Sequence, residues 1–129
     1  MGKVNRLQKE QKKKTDAEFL VDAIVTGMLE KKGNQITVLD LKPTGKAPSD
    51  FFVVTHADSH TQVIAIARSV EEEVERLTGE KPVYREGYTN AEWILLDYIN
   101  VVVHVFLKEQ RDFYGIEKFW ADANFRNIE

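Results

Sequence analysis

Apolar residues along this chain follow two periods, and their alternation lays out its elements. Between positions 15 and 33, Phe19, Leu20, Ala23, Ile24, Met28 and Leu29 recur at helical spacing. Thr15 and Glu18 stand three apart ahead of that run as a capping box, and Lys31, Lys32 and Gly33 close it. Residues 36–41 and 50–55 are short β-branched and aromatic runs that predict strands. The second is apolar on both faces and so belongs in the middle of a sheet. Pro43, Gly45 and Pro48 mark the intervening stretch as a loop.

A second helix is predicted from about residue 59, where Ser59 and Gln62 form another capping-box pair. Val63, Ile64, Ala67, Val70, Val74 and Leu77 make its buried stripe, and Gly79 ends it. Residues 82–85 predict a short edge strand, since proline is tolerated at strand starts and edges. Residues 93–98 and 101–106 predict two apolar strands joined by a tight turn at Ile99 and Asn100, followed by a short aromatic helix. In the first of these strands, Trp93, Leu95 and Asp97 share one face, and Ile94, Leu96 and Tyr98 share the other. One face must cover the helices, and the pattern does not say which. Most of the aromatics are expected to pack the core, Phe113 and Phe119 among them. The fold class is α/β: a mixed five-stranded sheet packed with helices as a sandwich, without a catalytic motif.

Composition adds bounds. The 129 residues contain no cysteine, which removes disulfides, thiolate metal sites and cysteine nucleophiles together. No apolar run approaches the roughly 20 residues that span a bilayer. The basic N-terminus has no apolar stretch behind it, so a cytoplasmic location is expected. The net charge of −3 divides unevenly. Lys3, Arg6, Lys9, Lys12, Lys13 and Lys14 face Glu10 alone in the first 14 residues, leaving an acidic body. Residues 1–14 read as a flexible basic arm, either simply solvated or able to lie on polyphosphate.

Candidate chemistry is sparse. His56 and His60 are four apart, a zinc-like spacing, but the predicted helix start falls between them and no third ligand is near. His104, between Val103 and Val105, reads as a hydrogen-bonded core or interface group. Glu71, Glu72 and Glu73 point in different directions from one helix and form a solvated face. Asp40, Asp50 and Asp97 lie at strand ends, where magnesium could gather, but no Gly-x-Gly, Walker or Asp-x-Asp pattern accompanies them. No enzyme, metal or cofactor is expected. What the chain does offer is contact surface, with Trp93, Tyr98 and Tyr114 of the types that carry interface energy.

Several motifs then stand in one order: Ile-Thr-Val-Leu-Asp-Leu at 36–41, Ser-Asp-Phe-Phe-Val-Val at 49–54, and a helix started by Ser59 with acidic residues at 71–73. Tyr-Arg-Glu-Gly at 84–87, Trp-Ile-Leu-Leu-Asp-Tyr at 93–98 and Val-Val-Val-His-Val-Phe at 101–106 follow. Arg-Asp-Phe-Tyr at 111–114, running on to Trp120, completes the set. In this the chain resembles the ribosomal silencing factor (RsfS, Iojap-like) family over residues 15–120, with 121–129 left as a tail. The resemblance implies a nucleotidyltransferase-like fold without its catalytic apparatus. It further implies binding to the large ribosomal subunit through large-subunit protein number fourteen, steric blocking of small-subunit association, and lowered translation when nutrients are scarce. It implies a homodimer when free, and a contact surface that includes Trp93 and Asp97, which we extend to Tyr98 and Tyr114. The basic arm would then have ribosomal RNA within reach. A large-subunit assembly factor and a magnesium-dependent nucleotidyltransferase are the alternatives. The chain departs from the family pattern at Ile99-Asn100, where Gly-Asp is usual. It departs again at residues 56–60, where His-Ala-Asp-Ser-His replaces a Gly-Thr-Ser-x-Arg-like entry to the helix.

Overall fold

The computed structural model describes residues 14–128; the arm expected at 1–14 lies outside them except for Lys14. Helix α1 (Asp16–Glu30) begins in the expected capping box. Thr15 Oγ1 accepts from the Glu18 N–H at 3.1 Å, and Glu18 Oε1 accepts from the Thr15 N–H at 2.8 Å. Its end departs from expectation. Lys32, not Gly33, takes the left-handed conformation (φ 58°), and the Lys32 and Gly33 N–H groups bond back to Leu29 and Met28 as a Schellman cap.

Strand β1 (Asn34–Asp40), a 3-10 turn (Lys42–Thr44) and strand β2 (Phe51–Ala57) follow. Helix α2 (His60–Thr78) is capped at Ser59, whose hydroxyl accepts from the Gln62 N–H at 3.2 Å. The reciprocal half of the expected capping box is missing. The Gln62 side chain instead donates to the Lys31 carbonyl at 2.9 Å, tying the start of α2 to the end of α1. The two helices cross where α1 has Gly27: a Cβ there would lie 2.7 Å from Val70 Cα, and Ser69 Oγ donates to the Gly27 carbonyl at 2.8 Å.

Strands β3 (Tyr84–Glu86), β4 (Trp93–Asp97) and β5 (Val101–Leu107) lead into two short helices, α3 (Lys108–Tyr114) and α4 (Ile116–Phe119). One aromatic helix was expected here. Gly115 breaks it, with φ 55° ending α3 in a conformation a side chain disfavours. A sixth strand, β6 (Asn124–Asn127), corrects the five-stranded sheet and draws the expected tail into the domain.

The sheet order is β3-β4-β5-β2-β1-β6. Only β2 and β5 run parallel, in register from Phe51 beside Val101 to Ala57 beside Leu107, so β2 is central and the sheet is mixed, both as expected. Alternation then separates two cores. Val38, Phe51, Val53, Ile94, Leu96, Val101, Val103 and Val105 meet α1 and α2 on one face. Leu39, Phe52, Val54, Val102 and Phe106 occupy the other, with Trp93, Leu95, Ile116 and Trp120 against them. The second layer is only partial, and that exposes the site.

Candidate functional site

Two long helices cover one face of the sheet, while α3, α4 and the chain leading to β6 cover only part of the other. The difference begins in the sequence. The inward positions of α1 and α2 are aliphatic, whereas the one buried side chain of α3 is Arg111, 7% exposed. Phe113, two residues further on, is turned by more than half a helical turn from Arg111 and points outward. In the next segment Ile116 and Trp120 take the inward side, so Phe119 is left outside. Phe113 is 79% exposed and Phe119 78%, which corrects their expected place in the core.

What remains open is aromatic. The Trp93 ring stacks on Phe106 with centroids 4.9 Å apart and meets Tyr114 at 4.8 Å. Phe52 packs edge-on against His104 at 4.5 Å and against Trp120 at 6.2 Å. Trp93 is half-buried and Tyr114 is 51% exposed, so the cluster reaches the surface. Beside it, Phe52, Leu95, Val102 and His104 line a depression of about 390 Å³ together with Pro48, Ser49, Asp97 and Ile99.

The hairpin tip closes that depression. The Asn100 N–H bonds to the Tyr98 carbonyl at 3.0 Å, a γ-turn centred on Ile99, whose φ is 76°. A β-branched residue is strained there. Asp97 Oδ1 offsets part of that cost by accepting from the Ile99 N–H at 2.7 Å. The result is an exposed isoleucine held beside a half-exposed carboxylate. Nothing in the apolar pattern marked Ile99 as more than a turn residue.

The structure therefore brings Trp93, Asp97 and Tyr114 to one face. Tyr98 departs from that group. It lies on the helix side, 4% exposed among the core residues, and offers no surface to a partner approaching the open face. Its hydroxyl has no hydrogen-bond partner among the described residues, and burial raises its pKa.

Each histidine has a structural use. His104 Nδ1 accepts from the Trp93 indole N–H at 3.1 Å, which places the ring proton on Nε2, where it has no partner among the described residues. Burial pushes the His104 pKa down to about 3. His56 Nδ1 accepts from Arg111 at 3.0 Å, and its pKa is lowered by burial and by that cation. His60 Nδ1 donates to the carbonyls of Asn90 and Ala91 at 3.1 and 3.3 Å, so the pair at 56 and 60 shares no helical face. Asp97 and Asp40 end strands β4 and β1, with β5 and β2 between them. Three strand spacings set them roughly 14 Å apart, too far to share one ion. Among the described residues no group of three or more His, Asp or Glu could hold a metal ion. No helix there is long and apolar enough to cross a membrane.

The sequence profile of a family described as "Ribosomal silencing factor during starvation" matches residues 13–129. A ribosomal silencing factor RsfS from Halalkalibacterium halodurans is 38% identical over 110 residues, covering 85% of this chain and 92% of the relative. Its counterpart from Bacillus subtilis is 35% identical over 100 residues, covering 78% and 83%. A crystal structure from Chromobacterium violaceum superposes with a TM-score of 0.77 at 31% identity, over 83% of this chain and 88% of that one. One from Bacillus halodurans gives 0.70 at 36%, over 87% and 98%. More distantly, a mouse protein named "Mitochondrial assembly of ribosomal large subunit protein 1" is 25% identical over 111 residues, covering 84% of this chain and 48% of its own length. With nearly the whole chain inside the profile and the sheet reproduced in solved relatives, the chain belongs to the ribosomal silencing factor family.

Proposed function

We propose that this protein binds the large ribosomal subunit through large-subunit protein number fourteen and sterically blocks association with the small subunit, lowering translation when nutrients are scarce. The observation that carries the reading is the half-covered sheet face. It groups Trp93, Tyr114 and Ile99 with the Asp97 carboxylate, and exposes Phe113 and Phe119 nearby. An apolar patch rimmed by charge is the form of a protein-binding surface. An acidic body favours encounter with a basic ribosomal protein, and complementary charge sets on-rate and orientation more than affinity. Aromatic anchors near the centre of the face then slow dissociation. The protein works by occupancy, without catalysis, in the cytoplasm. When free, the chain forms a homodimer. The basic arm adds contacts to ribosomal RNA phosphates.

The test is capture of ribosomal particles from lysate by the tagged full chain. Large subunits should be retained and small subunits washed away, and Trp93→Ala should weaken retention of large subunits. Retention of both particles, or of neither, contradicts the reading. One relative's name supports a second reading, an assembly factor confined to immature large subunits. Sucrose gradients separate the two, because a silencing factor must also bind mature subunits and reduce joined ribosomes.

A further inference from the structure

Arg111 is a cation at the inward position of a two-turn helix, and each of its five N–H groups has an acceptor. Nε and Nη2 donate to the two Glu117 carboxylate oxygens, both at 2.9 Å. Nη1 donates to the Gln35 carbonyl at 2.9 Å and to His56 Nδ1 at 3.0 Å, with the Asn34 carbonyl at 3.4 Å. Nη2 also reaches Thr37 Oγ1 at 3.3 Å. These acceptors do not come from a regular ladder. The register of β1 against β2 shifts between Asn34 and Thr37, and Gln35 sits at φ 46°. At that bulge the Gln35 carbonyl, and more distantly the Asn34 carbonyl that also accepts from Thr55 Oγ1 at 2.8 Å, come within reach of the guanidinium.

One side chain thus ties together α3, α4, the β1 bulge and β2. The aromatic face rests on the segment so tied. Tyr114 lies three residues beyond Arg111 and meets Trp93. Trp120 lies three beyond Glu117 and meets Phe52. Beyond the inward packing of Ile116 and Trp120, the described residues offer this segment few other ties: α3 has seven residues, α4 has four, and neither has a side-chain cap. The aromatics at 113 and 119 contribute almost no burial.

We propose that Arg111 is the positioning residue of the docking face. Its bidentate pair with Glu117 and its bonds to the β1 bulge set the 108–120 segment so that Tyr114 and Trp120 complete the surface around Trp93 and Phe52. The inference rests on the reading that this face docks on the large subunit. Lysine cannot replace the arginine, because an ammonium lacks the planar fork that serves both carboxylate oxygens and the bulge carbonyls together.

Trp93 and Trp120 are the only two tryptophans and both belong to this face, so indole signals report on it directly. The experiment compares the full-length wild type with Arg111→Lys, Glu117→Ala and Trp93→Ala. It measures near-ultraviolet circular dichroism, thermal unfolding and affinity for purified large subunits. Glu117 lies beside the face and its side chain is 27% exposed, so Glu117→Ala should fold even if Arg111→Lys does not. Glu117→Ala should lose much of the tryptophan signal and bind large subunits about tenfold more weakly, with the far-ultraviolet spectrum retained. In the Trp93→Ala background it should weaken binding by much less than tenfold, because the positioned partner of Tyr114 is already gone. Normal indole signals and affinity in Glu117→Ala, beside a weakened Trp93→Ala, overturn the role of Arg111. Normal affinity in Trp93→Ala overturns the docking reading on which it rests.

Discussion

Trp93 and His104 form one polar contact inside an otherwise apolar cluster, and the contact needs the imidazole neutral. His104 has its pKa pushed from 6.5 to about 3 by burial. Below pH 6.5 the unfolded chain takes up a proton that the native state does not. Stability is therefore complete above that pH and declines as the solution is acidified towards pH 3. At pH 5 this one group costs about 2 kcal/mol, and His56, shifted in the same direction, adds to the loss. Urea midpoints at pH 7.5 and 5.0 should differ less in His104→Gln than in the wild type; equal differences would contradict this role. At this scale the sequence was partly legible. Trp93 and Asp97 alternate onto the same face by strand periodicity alone. The same alternation sets Tyr98 on the opposite face from Trp93 and Asp97, and the packing of α1 and α2 makes that face the buried one. Arg111 stands in the Arg-Asp-Phe-Tyr motif, but no local pattern marks it as buried, because its six acceptor atoms come from Glu117 and from residues 34–56 far away in the chain.

Among the elements, the β4–β5 hairpin and the α1–α2 crossing give opposite expectations for glycine. Ile99 occupies φ 76°, where an L-residue costs roughly 1–2 kcal/mol. Ile99→Gly removes that strain against some loss of unfolded-state restraint, for a net gain of about 1 kcal/mol. Its Tm should rise by about 3–5 °C in a thermal melt. Its affinity for large subunits should fall, because the apolar tip is removed. A lower Tm would show that the turn is not strained. At the crossing, Gly27→Ala forces a methyl to within 2.7 Å of the Val70 backbone and should cost about 1–3 kcal/mol in chemical denaturation. Affinity of the folded fraction should hold, since the crossing lies on the opposite layer from the docking face. Helices α1 and α2 and five of the strands are readable because each carries a period and a terminus signal, whereas the break at Gly115 between α3 and α4 is not. Strand β6 was not: Asn-Phe-Arg-Asn has four residues, all exposed, and takes its structure from the edge of β1 rather than from a buried face of its own.

For the whole molecule, charge and coverage decide what the chain can do. A sheet with helices on one face and a partial aromatic layer on the other needs a second surface to complete it. On the proposed reading, an acidic body favours a basic partner surface. The arm is tested separately. If residues 1–14 lie on RNA phosphates, deleting them should flatten the dependence of large-subunit affinity on salt, by about one unit of log–log slope for each phosphate the arm neutralises. An unchanged slope removes the arm from the interface and leaves the face intact. The partner itself was not legible from periodicity or composition. Those suggest contact surface, and only the ordered motifs from 36–41 through 111–120 point to the ribosomal silencing factor family.

Obstruction is read most simply from subunit joining. Purified large and small subunits mixed with magnesium form joined ribosomes, followed by light scattering. At concentrations that saturate the large subunit, the wild-type chain should hold the subunits apart, and Trp93→Ala should release them at the same concentration. Normal joining in the presence of saturating wild-type protein would contradict the account.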